Sequence, residues 1–278
     1  MSEPQDFAGR VALITGGTQG LGYAVADLLR ARGAAGLVLV GRDQAKGAAA
    51  AESLSSESCR AVFVSVDLAH RSAIDEVMQI VEAEFATLHA VVNCAAKTDR
   101  GSVWDTSPEL WDQMLALNVR MPALLAQAAA RIMAREGVEG SIVLIGSVAH
   151  HGGAANLLPY STSKMALVAM TRNMAYQLMR HRIRVNLINP GWMDTPNENL
   201  TQRKWEGAGD GWLEAAEAAQ PWGKLIKPPE IARTIVHLAT AESGMMSGAS
   251  IDWDQTVVGV GPGVRAEPEL GELPKDMR

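Results

Sequence analysis

The chain has 278 residues and a mass of 29.6 kDa, with 47% hydrophobic and 20% charged residues. Such a composition supports a large buried core and excludes a disordered polymer. The formal net charge of -6 argues against nucleic acid or an anionic membrane surface as the main partner. No apolar run approaches the roughly 20 residues that cross a bilayer, so we expect no membrane partner.

The two cysteines and the N-terminal segment bear on the cellular compartment. Cys59 and Cys94 are far apart and have no metal-ligand spacing, which fits a reduced intracellular protein better than a disulfide scaffold. Residues 1–7 lack the basic and apolar regions of a signal peptide. The sequence therefore predicts a cytoplasmic protein.

Short apolar runs alternate with longer helical patterns along the chain. The predicted strands are 10–14, 37–40, 61–66, 90–93, 141–145, 183–188 and 249–253. The predicted helices are 21–32, one from 43, 72–85, 108–135 with an interruption or kink near Pro122, 159–181 and 229–241. Apolar strands that alternate with helices predict an α/β fold, a Rossmann-like doubly wound parallel sheet with helices on both faces.

One segment, at about 191–223, breaks this alternation and is rich in Trp, Asn, Glu and Gly. In so regular a chain, a long irregular insertion is more typical of a substrate lid than of a second domain. We therefore predict a single domain over residues 1–278 with a Trp-rich substrate lid. The proline-containing segment at about 260–278 predicts an extended C-terminal arm, suited to reaching a neighbouring subunit.

A glycine motif, Thr15-Gly-Gly-Thr-Gln-Gly-Leu-Gly22, stands between the first strand and the first helix. Its glycines lie where the chain must turn tightly and approach a pyrophosphate, and the helix N-terminus supplies amide hydrogens and a favourable dipole. A glycine-rich turn without a ligand is the alternative. We predict a dinucleotide site that includes Gly16, Thr18, Gln19, Gly20, Leu21 and Gly22.

Tyr160 and Lys164 lie one turn apart on the helix predicted from residue 159. An unperturbed tyrosine keeps its proton until about pH 10. A neighbouring cation lowers that pKa, which is the change that a general base near neutrality needs. The pair alone also fits a solvated helix surface, so its meaning depends on the surrounding motifs.

Those motifs, in their order, resemble the short-chain dehydrogenase/reductase family over about residues 8–253. The family has Thr-Gly-x-x-x-Gly-x-Gly after its first strand, as at Thr15 to Gly22. The family's catalytic tetrad matches Asn118, Ser147, Tyr160 and Lys164, without a departure.

The resemblance implies a role for each member of the tetrad. Tyr160 would exchange a proton with the substrate oxygen while hydride passes to or from the nicotinamide. Lys164 would lower the pKa of Tyr160 and hold the ribose hydroxyls, and Ser147 would hydrogen-bond the substrate oxygen. Asn118 would hold a water that links Lys164 to solvent. This chemistry requires no metal.

The resemblance also implies the remaining cofactor contacts. Asp67-Leu68 is similar to the pair that holds the adenine ring, and Pro190-Gly191 with Thr195 to the loop over the nicotinamide amide. Asn93-Cys-Ala-Ala96 resembles the family's Asn-Asn-Ala-Gly segment but departs from it at its second and fourth positions. The implied contacts are Asp67, Leu68, Asn93, Ala95, Pro190, Gly191, Met193 and Thr195.

The second strand ends in Val40-Gly41-Arg42, at the position that distinguishes NAD from NADP. A carboxylate at position 41 would bond the ribose 2′-hydroxyl and repel a 2′-phosphate. Gly41 leaves room, and Arg42 is suited to pair with a phosphate. Gln19 argues against NADP, because NADP-preferring relatives often carry Lys or Arg at this position. For Arg42, the alternatives are stacking on adenine or a place in a solvated turn. We favour NADP(H), with NAD(H) as the alternative.

Several side chains are candidates for contact with the substrate. The two histidines lie between Ser147 and Tyr160, in a loop that borders the substrate in the family, and tryptophan faces suit stacking on a sugar. We predict substrate contacts from Ser147, His150, His151, Trp192 and Trp205. Structural histidines and tryptophans that pack the lid or a subunit interface are the alternative. The histidines have no metal-site company in the sequence, so we predict no metal site.

The leading hypothesis is an NAD(P)-dependent alcohol/ketone oxidoreductase acting on a sugar, polyol or cyclic polyol. Asn189-Pro-Gly-Trp-Met-Asp-Thr195 supports it, because this run resembles family members associated with sugar and polyol oxidation. The alternatives are a 3-oxoacyl-thioester reductase and a catalytically silent nucleotide sensor, and the intact tetrad argues against the sensor. Family members are commonly tetramers built on helices near 110–135 and 160–180, which implies a homotetramer.

Overall fold

The computed structural model describes residues 3–152 and 154–258, so the predicted arm at 260–278 lies outside the described residues. The strands are β1 Val11–Thr15, β2 Gly36–Gly41, β3 Arg60–Ser65, β4 Ala90–Asn93, β5 Ser141–Ile145, β6 Arg184–Pro190 and β7 Ser250–Trp253. The helices are α1 Gly20–Ala31, α2 Gln44–Leu54, α3 Ala73–Phe85, α4 Pro108–Leu115, α5 Met121–Arg135, α6 Leu158–Leu178, α7 Pro196–Trp205, α8 Trp212–Ala218 and α9 Pro228–Ala239. In this part of the chain, no helix has the length and apolar character needed to cross a membrane.

The strands form one parallel sheet in the order β3-β2-β1-β4-β5-β6-β7. Helices α3, α5 and α6 pack on one face, and α1, α2 and α9 pack on the other. Because both faces are covered, neighbouring strand residues enter different cores; Leu13 lies in one and Ile14 in the other, both fully buried. The Rossmann-like doubly wound α/β fold is confirmed.

The strand order reverses at β1, which lies between β2 and β4, and open α/β sheets bind ligands in the crevice at such a point. Thr15 and Asn93 are paired in register at the carboxyl ends of these strands. The Thr15 hydroxyl donates to Asn93 Oδ1 at 2.9 Å and accepts from the Ala95 amide at 3.1 Å. These bonds fix the floor of the crevice and occupy polar groups of Asn93 and Ala95.

The long helix before β5 is interrupted near Pro122, as the sequence predicts. Its irregularity is a wider π turn at Ala116–Arg120, just before the proline. Pro122 has no amide hydrogen, so the Asn118 carbonyl lacks the donor four residues on. The proline therefore acts on the preceding turn, and that turn contains Asn118.

The segment at 191–223 is not irregular as predicted, because it contains α7 and α8. Thr195 caps α7 by accepting from the Glu198 amide at 3.1 Å, and Pro196 occupies the first turn. Thr-Pro-x-Glu is a helix-start signal that the sequence offered. The Ile226 backbone bonds Trp192 and Asp194, so residues 195–225, here named the α7–α8 segment, leave and rejoin the fold at one place.

Candidate active site

The first turns of α6 carry Tyr160 and Lys164 on the face towards β5. Pro159 occupies the first turn of this helix, where its missing amide hydrogen is harmless. Tyr160 is half-buried and Lys164 is buried. Lys164 Nζ donates to the Ile145 carbonyl at 2.8 Å and lies 5.6 Å from the Tyr160 ring centroid.

Ser147 follows the carboxyl end of β5 and begins a short 3-10 turn at Val148–His151. Its hydroxyl accepts from the Ala149 amide at 3.1 Å, which caps that turn. The preceding Gly146 is required by packing, because a Cβ there would lie 2.0 Å from the Asn189 side-chain oxygen. The close fit between β5 and β6 thus sets the position of Ser147.

Asn118 is buried in the π turn and joins two parts of the site. Its oxygen accepts from the Lys97 amide at 2.8 Å, and its amide donates to the Lys97 carbonyl at 2.9 Å. The same amide donates to the Ser163 hydroxyl at 3.0 Å, next to Lys164 on α6. Asn118 therefore connects the loop after β4 to the helix that carries Tyr160.

The pKa values of the Tyr160–Lys164 pair differ from the expectation drawn from sequence. Burial lowers the pKa of Lys164 to about 8, and the nearby Cys94 opposes this change. Burial raises the pKa of Tyr160, and contact with the Ser147 hydroxyl opposes the rise. Lys164 is not among the groups that lower the pKa of Tyr160; its ammonium bonds the Ile145 carbonyl, and burial of the phenol has the largest effect.

Two further charges act on the phenol. Glu198, on α7, raises the pKa of Tyr160, and Arg100, in the loop after β4, lowers it, although both contribute less than burial. Arg100 is anchored by the Thr98 carbonyl at 3.1 Å and by Glu206 at 3.0 Å. Sequence reasoning missed Arg100, although its place after the carboxyl end of a strand was a usable signal.

The glycine loop between β1 and α1 fits a bound phosphate group. Gly16 and Gly20 have φ values of +66° and +54°, which favour glycine, and a Cβ at Gly22 would lie 2.3 Å from the Gly16 carbonyl. Gln19 makes no side-chain bond to the start of α1, and the first turn carries no acidic residue. The amides of that turn therefore remain for an anion. The Leu21 side chain is buried in the core, so it is the backbone there that borders the loop.

The end of β2 lies beside this loop, as a nucleotide-selecting position should. A Cβ at Gly41 would lie 3.3 Å from the Thr18 methyl group. Arg42 is exposed, whereas Asp43 caps α2 by accepting from the Lys46 amide at 3.0 Å. After the neighbouring strand β3, Asp67 accepts from the Ala69 amide at 3.0 Å and Leu68 is buried.

The loop after β6 closes the crevice from the opposite side. Gly191 donates to the Trp253 carbonyl at 3.0 Å, and a Cβ at Gly191 would lie 1.7 Å from an Asp254 oxygen. Pro190 ends β6, and Met193 pairs with Ile226. Thr195 approaches the glycine loop, since a Cβ at Gly20 would lie 3.5 Å from the Thr195 Cβ.

Trp192, just before the α7–α8 segment, and the tryptophans within the segment mostly contact the segment itself. The Trp192 and Trp212 ring centroids lie 6.2 Å apart, and their indole N–H groups donate to Glu198 and Asn199, each at 2.8 Å. Trp205 is 40% exposed under the Lys204 ammonium. For Trp192, this geometry favours lid packing over stacking on a substrate.

The two histidines differ in their surroundings. His150 is buried, and its Nδ1 lies 2.7 Å from the Ser147 carbonyl. His151 is exposed, and its Nε2 lies 2.7 Å from Asp252, which comes 101 residues later on β7. Asp252 also accepts from the Asn189 amide at 2.9 Å. The fold thus supplies the histidines with a carboxylate that no local pattern predicted.

Comparisons with known proteins agree with this geometry. A family model described as enoyl-(acyl carrier protein) reductase matches residues 16–256. Galactitol 2-dehydrogenase of Agrobacterium fabrum is 30% identical over 84% of this chain and 92% of its own length. The (3R)-3-hydroxyacyl-CoA dehydrogenase of Canis lupus familiaris is 29% identical over 91% and 97%, respectively.

A solved structure is also similar. L-sorbose reductase from Gluconobacter frateurii, complexed with NADPH and L-sorbose, has a TM-score of 0.84 and 27% identity, covering 93% of this chain and 99% of that one. The matched family model spans the glycine loop, the π turn, Ser147 and α6. The chain therefore belongs to the short-chain dehydrogenase/reductase family of oxidoreductases, which act on alcohol groups with NAD(P).

Proposed function

We propose that this enzyme interconverts a secondary alcohol and a ketone on a sugar, polyol or cyclic polyol, with NADP(H) as the preferred cofactor. The observation that carries the proposal is the convergence of Ser147, Tyr160 and Lys164 beside the glycine-loop crevice. A phenol, a hydroxyl that acts on it and a buried ammonium 5.6 Å from its ring suit proton transfer at a carbonyl oxygen.

Each residue has one task in this proposal. Tyr160 gives a proton from its phenolic oxygen to the ketone and recovers it in the oxidation. Ser147 donates a hydrogen bond to the same substrate oxygen. Lys164 holds the ribose hydroxyls and offsets negative charge on the phenol. The nicotinamide, when bound, supplies or accepts the hydride.

Asn118 completes the proton path in this scheme. Its side chain is occupied by Lys97 and Ser163. Pro122 leaves its carbonyl without the usual helical donor, so that oxygen is suited to hold a water. The water links Lys164 to solvent.

The charges near Tyr160 support a polar substrate. Arg100 and Glu198 place opposite charges close enough to the phenol to change its pKa. Such groups bond hydroxyls readily, whereas contact with a long acyl chain would desolvate them without compensation. The names of galactitol 2-dehydrogenase and L-sorbose reductase point in the same direction.

NADP(H) is supported by the end of β2. Gly41 presents no carboxylate, Arg42 is exposed, and Asp43 is occupied in capping α2. We expect Arg42→Ala to lower kcat/KM with NADPH at least tenfold, while kcat/KM with NADH stays within about twofold. Arg60→Ala, at the amino end of β3, is the matched control. An unchanged preference in Arg42→Ala would remove Arg42 from the cofactor site.

The reaction is tested by following absorbance at 340 nm with polyols, sugars and cyclic polyols, and with their ketones, using both cofactors. We expect turnover with polyhydroxylated substrates. A parallel panel of 3-oxoacyl thioesters tests the second candidate function, which the family-model description and the hydroxyacyl-CoA relative favour. Preference for thioesters would overturn the substrate class. Silence with every substrate, despite cofactor binding, would indicate a nucleotide sensor.

We also propose a homotetramer built on α5 and α6. These helices expose Leu124, Met165 and Tyr176, the last of which is 81% exposed. Ala126 and Ala130 of α5 are buried in the core and do not belong to this exposed surface. Light scattering should give four chains for the wild type and fewer for Tyr176→Glu; a monomeric wild type would contradict the proposal.

A further inference from the structure

We propose that His150, His151 and Asp252 form a binding site for a divalent transition-metal ion of the zinc class. The three side chains come from the turn after β5 and from β7. One candidate ligand atom from each lies within 4.8 Å of the other two. Two imidazoles and one carboxylate are also the donor set of many catalytic zinc sites, in which a further position stays open for water or substrate.

The surroundings of two of these side chains are those of metal ligands. The Ser147 carbonyl can only accept a hydrogen bond, so the proton of His150 is on Nδ1, which lies 2.7 Å away. The other ring nitrogen of His150 therefore has a free lone pair. Asp252 uses Oδ1 to accept from Asn189 at 2.9 Å, and its other oxygen, Oδ2, contacts His151, the third member of the cluster. Such outer hydrogen bonds fix the tautomer and orientation of metal ligands.

The second histidine distinguishes this cluster from a simple His–Asp pair. His151 alone would satisfy Asp252, yet the His150 ring lies 3.8 Å from the His151 ring, centroid to centroid. The two ring planes are tilted by 38° to each other, and a shared ion would bind both imidazoles in the neutral form. Imidazole donors favour zinc, cobalt, nickel or copper over magnesium or calcium, which take oxygen ligands.

Ion binding requires one small movement and the release of the proton by which His151 Nε2 bonds Asp252 Oδ2. His151 Nε2 and Asp252 Oδ2 are 2.7 Å apart, whereas ligand atoms around a tetrahedral zinc ion are about 3.3 Å apart, because each bond is about 2.0–2.2 Å long. Both side chains are about one-third exposed and have room to separate. His150 also lines a surface hollow of about 630 Å³, which gives an ion a route to the buried imidazole.

The position of this site has a functional consequence. His150 is bonded to the backbone of Ser147, and Asp252 pairs in register with Asn189, next to Pro190. A bound ion would therefore stiffen the link between the two loops that border the crevice, and its open position would bind an oxygen atom there. This inference does not depend on the proposed reaction, because metal binding is measured without a substrate.

The test is a titration of untagged, EDTA-treated and dialysed protein with Co²⁺, followed by Zn²⁺. We expect the visible absorption band of protein-bound Co²⁺ at one ion per chain, and its loss when Zn²⁺ displaces the cobalt. Asp252→Asn and His151→Asn should each weaken binding at least tenfold. His237→Asn is the matched control, because His237 also lies near a carboxylate, that of Glu242, but outside this cluster.

Two results would overturn the inference. One is the absence of the band in excess Co²⁺. The other is a band of unchanged strength in both variants, which would place the ion elsewhere, for example on a cysteine. NADPH binding checks that each variant is folded; if Asp252→Asn does not fold, His151→Asn alone decides the question.

Discussion

The glycine loop and the α7–α8 segment face each other across one crevice, but different forces hold them. The loop is fixed by steric fit, since a single methyl group at Gly22 would lie 2.3 Å from a backbone oxygen. The segment is held by ion pairs, such as Lys227 with Asp194 at 2.8 Å and with Glu217 at 2.6 Å. Partly exposed pairs contribute only about 0–1 kcal/mol each. The proposed cofactor side is therefore held by close packing, and the proposed substrate side by weaker, partly exposed contacts.

The largest effect should come from Tyr160→Phe, between the two regions. Loss of the phenolic proton should lower kcat by about 10²- to 10⁴-fold, while the Kd for NADPH changes less than about twofold. Steady-state kinetics and a fluorescence titration with NADPH measure the two quantities. Turnover near that of the wild type would refute the assigned role of Tyr160.

A pair of glycine substitutions compares the regions directly. Gly22→Ala should raise the Kd for NADPH at least tenfold and destabilise the fold by about 1–3 kcal/mol, because the loop must shift to admit the methyl group. Gly209, before α8, has open space where a Cβ would lie, with nothing within 4 Å, and its φ is not in the left-handed region. Gly209→Ala should leave both quantities unchanged. Equal effects of the two substitutions, measured by titration and thermal unfolding, would contradict the contrast.

Lys164→Met tests how much free energy the burial of this ammonium costs on the proposed cofactor side. The pKa of this lysine falls from about 10.5 in the unfolded chain to about 8 in the fold, so below pH 8 burial of the charge costs about 3 kcal/mol. Between pH 8 and 10 the unfolded lysine binds more protons than the folded one, and the cost decreases as the pH rises. The variant should be inactive. Its free energy of unfolding at pH 7 should rise by about 1–2 kcal/mol, less than the full burial cost, because the variant also loses the bond to Ile145.

The stability advantage of Lys164→Met over the wild type should shrink as the pH rises from 8 to 10. Denaturant unfolding at several pH values measures it. Lys204→Met, at a lysine that is 62% exposed, is the control and should show no such trend. An advantage that stays constant from pH 7 to 10 would show that the Lys164 pKa is not depressed.

The smallest effect should come from Glu206→Gln, which removes the ion pair between α7 and Arg100. A loss of at most about 1 kcal/mol corresponds to a rise in substrate KM of up to about fivefold, with the Kd for NADPH unchanged. Glu139→Gln, which breaks the exposed pair with Arg182, should change neither. If Glu206→Gln weakened NADPH binding as much as Gly22→Ala, the two regions would not be independent.

The features that the sequence could predict are those set by neighbouring residues. The glycine motif and the Tyr160–Lys164 spacing act over a few neighbouring residues, and alternation of apolar strands with helices is sufficient to indicate the sheet. The π turn at Ala116–Arg120 comes just before Pro122, because the proline removes a hydrogen bond from the turn that precedes it. Helix α7 was missed because its polar sequence gives no apolar stripe, although Thr195 and Glu198 mark its start, and α8 was missed because it has only seven residues.

Contacts between distant segments were outside the reach of local patterns. Nothing near His151 in the sequence indicates Asp252, and only the pairing of β6 with β7 brings them together. The raised pKa of Tyr160 likewise depends on how deeply the phenol is buried, which helix spacing does not determine.

Because the backbone of Ile226 bonds both Trp192 and Asp194, the α7–α8 segment begins and ends at one anchored point of the fold. Insertions, deletions or wholesale replacement between 195 and 225 would leave the seven strands and the nucleotide crevice in register. Under the proposed function, exchange of residues 196–225 as a module should redirect the enzyme to new alcohols, while Ser147, Tyr160 and Lys164 keep their positions.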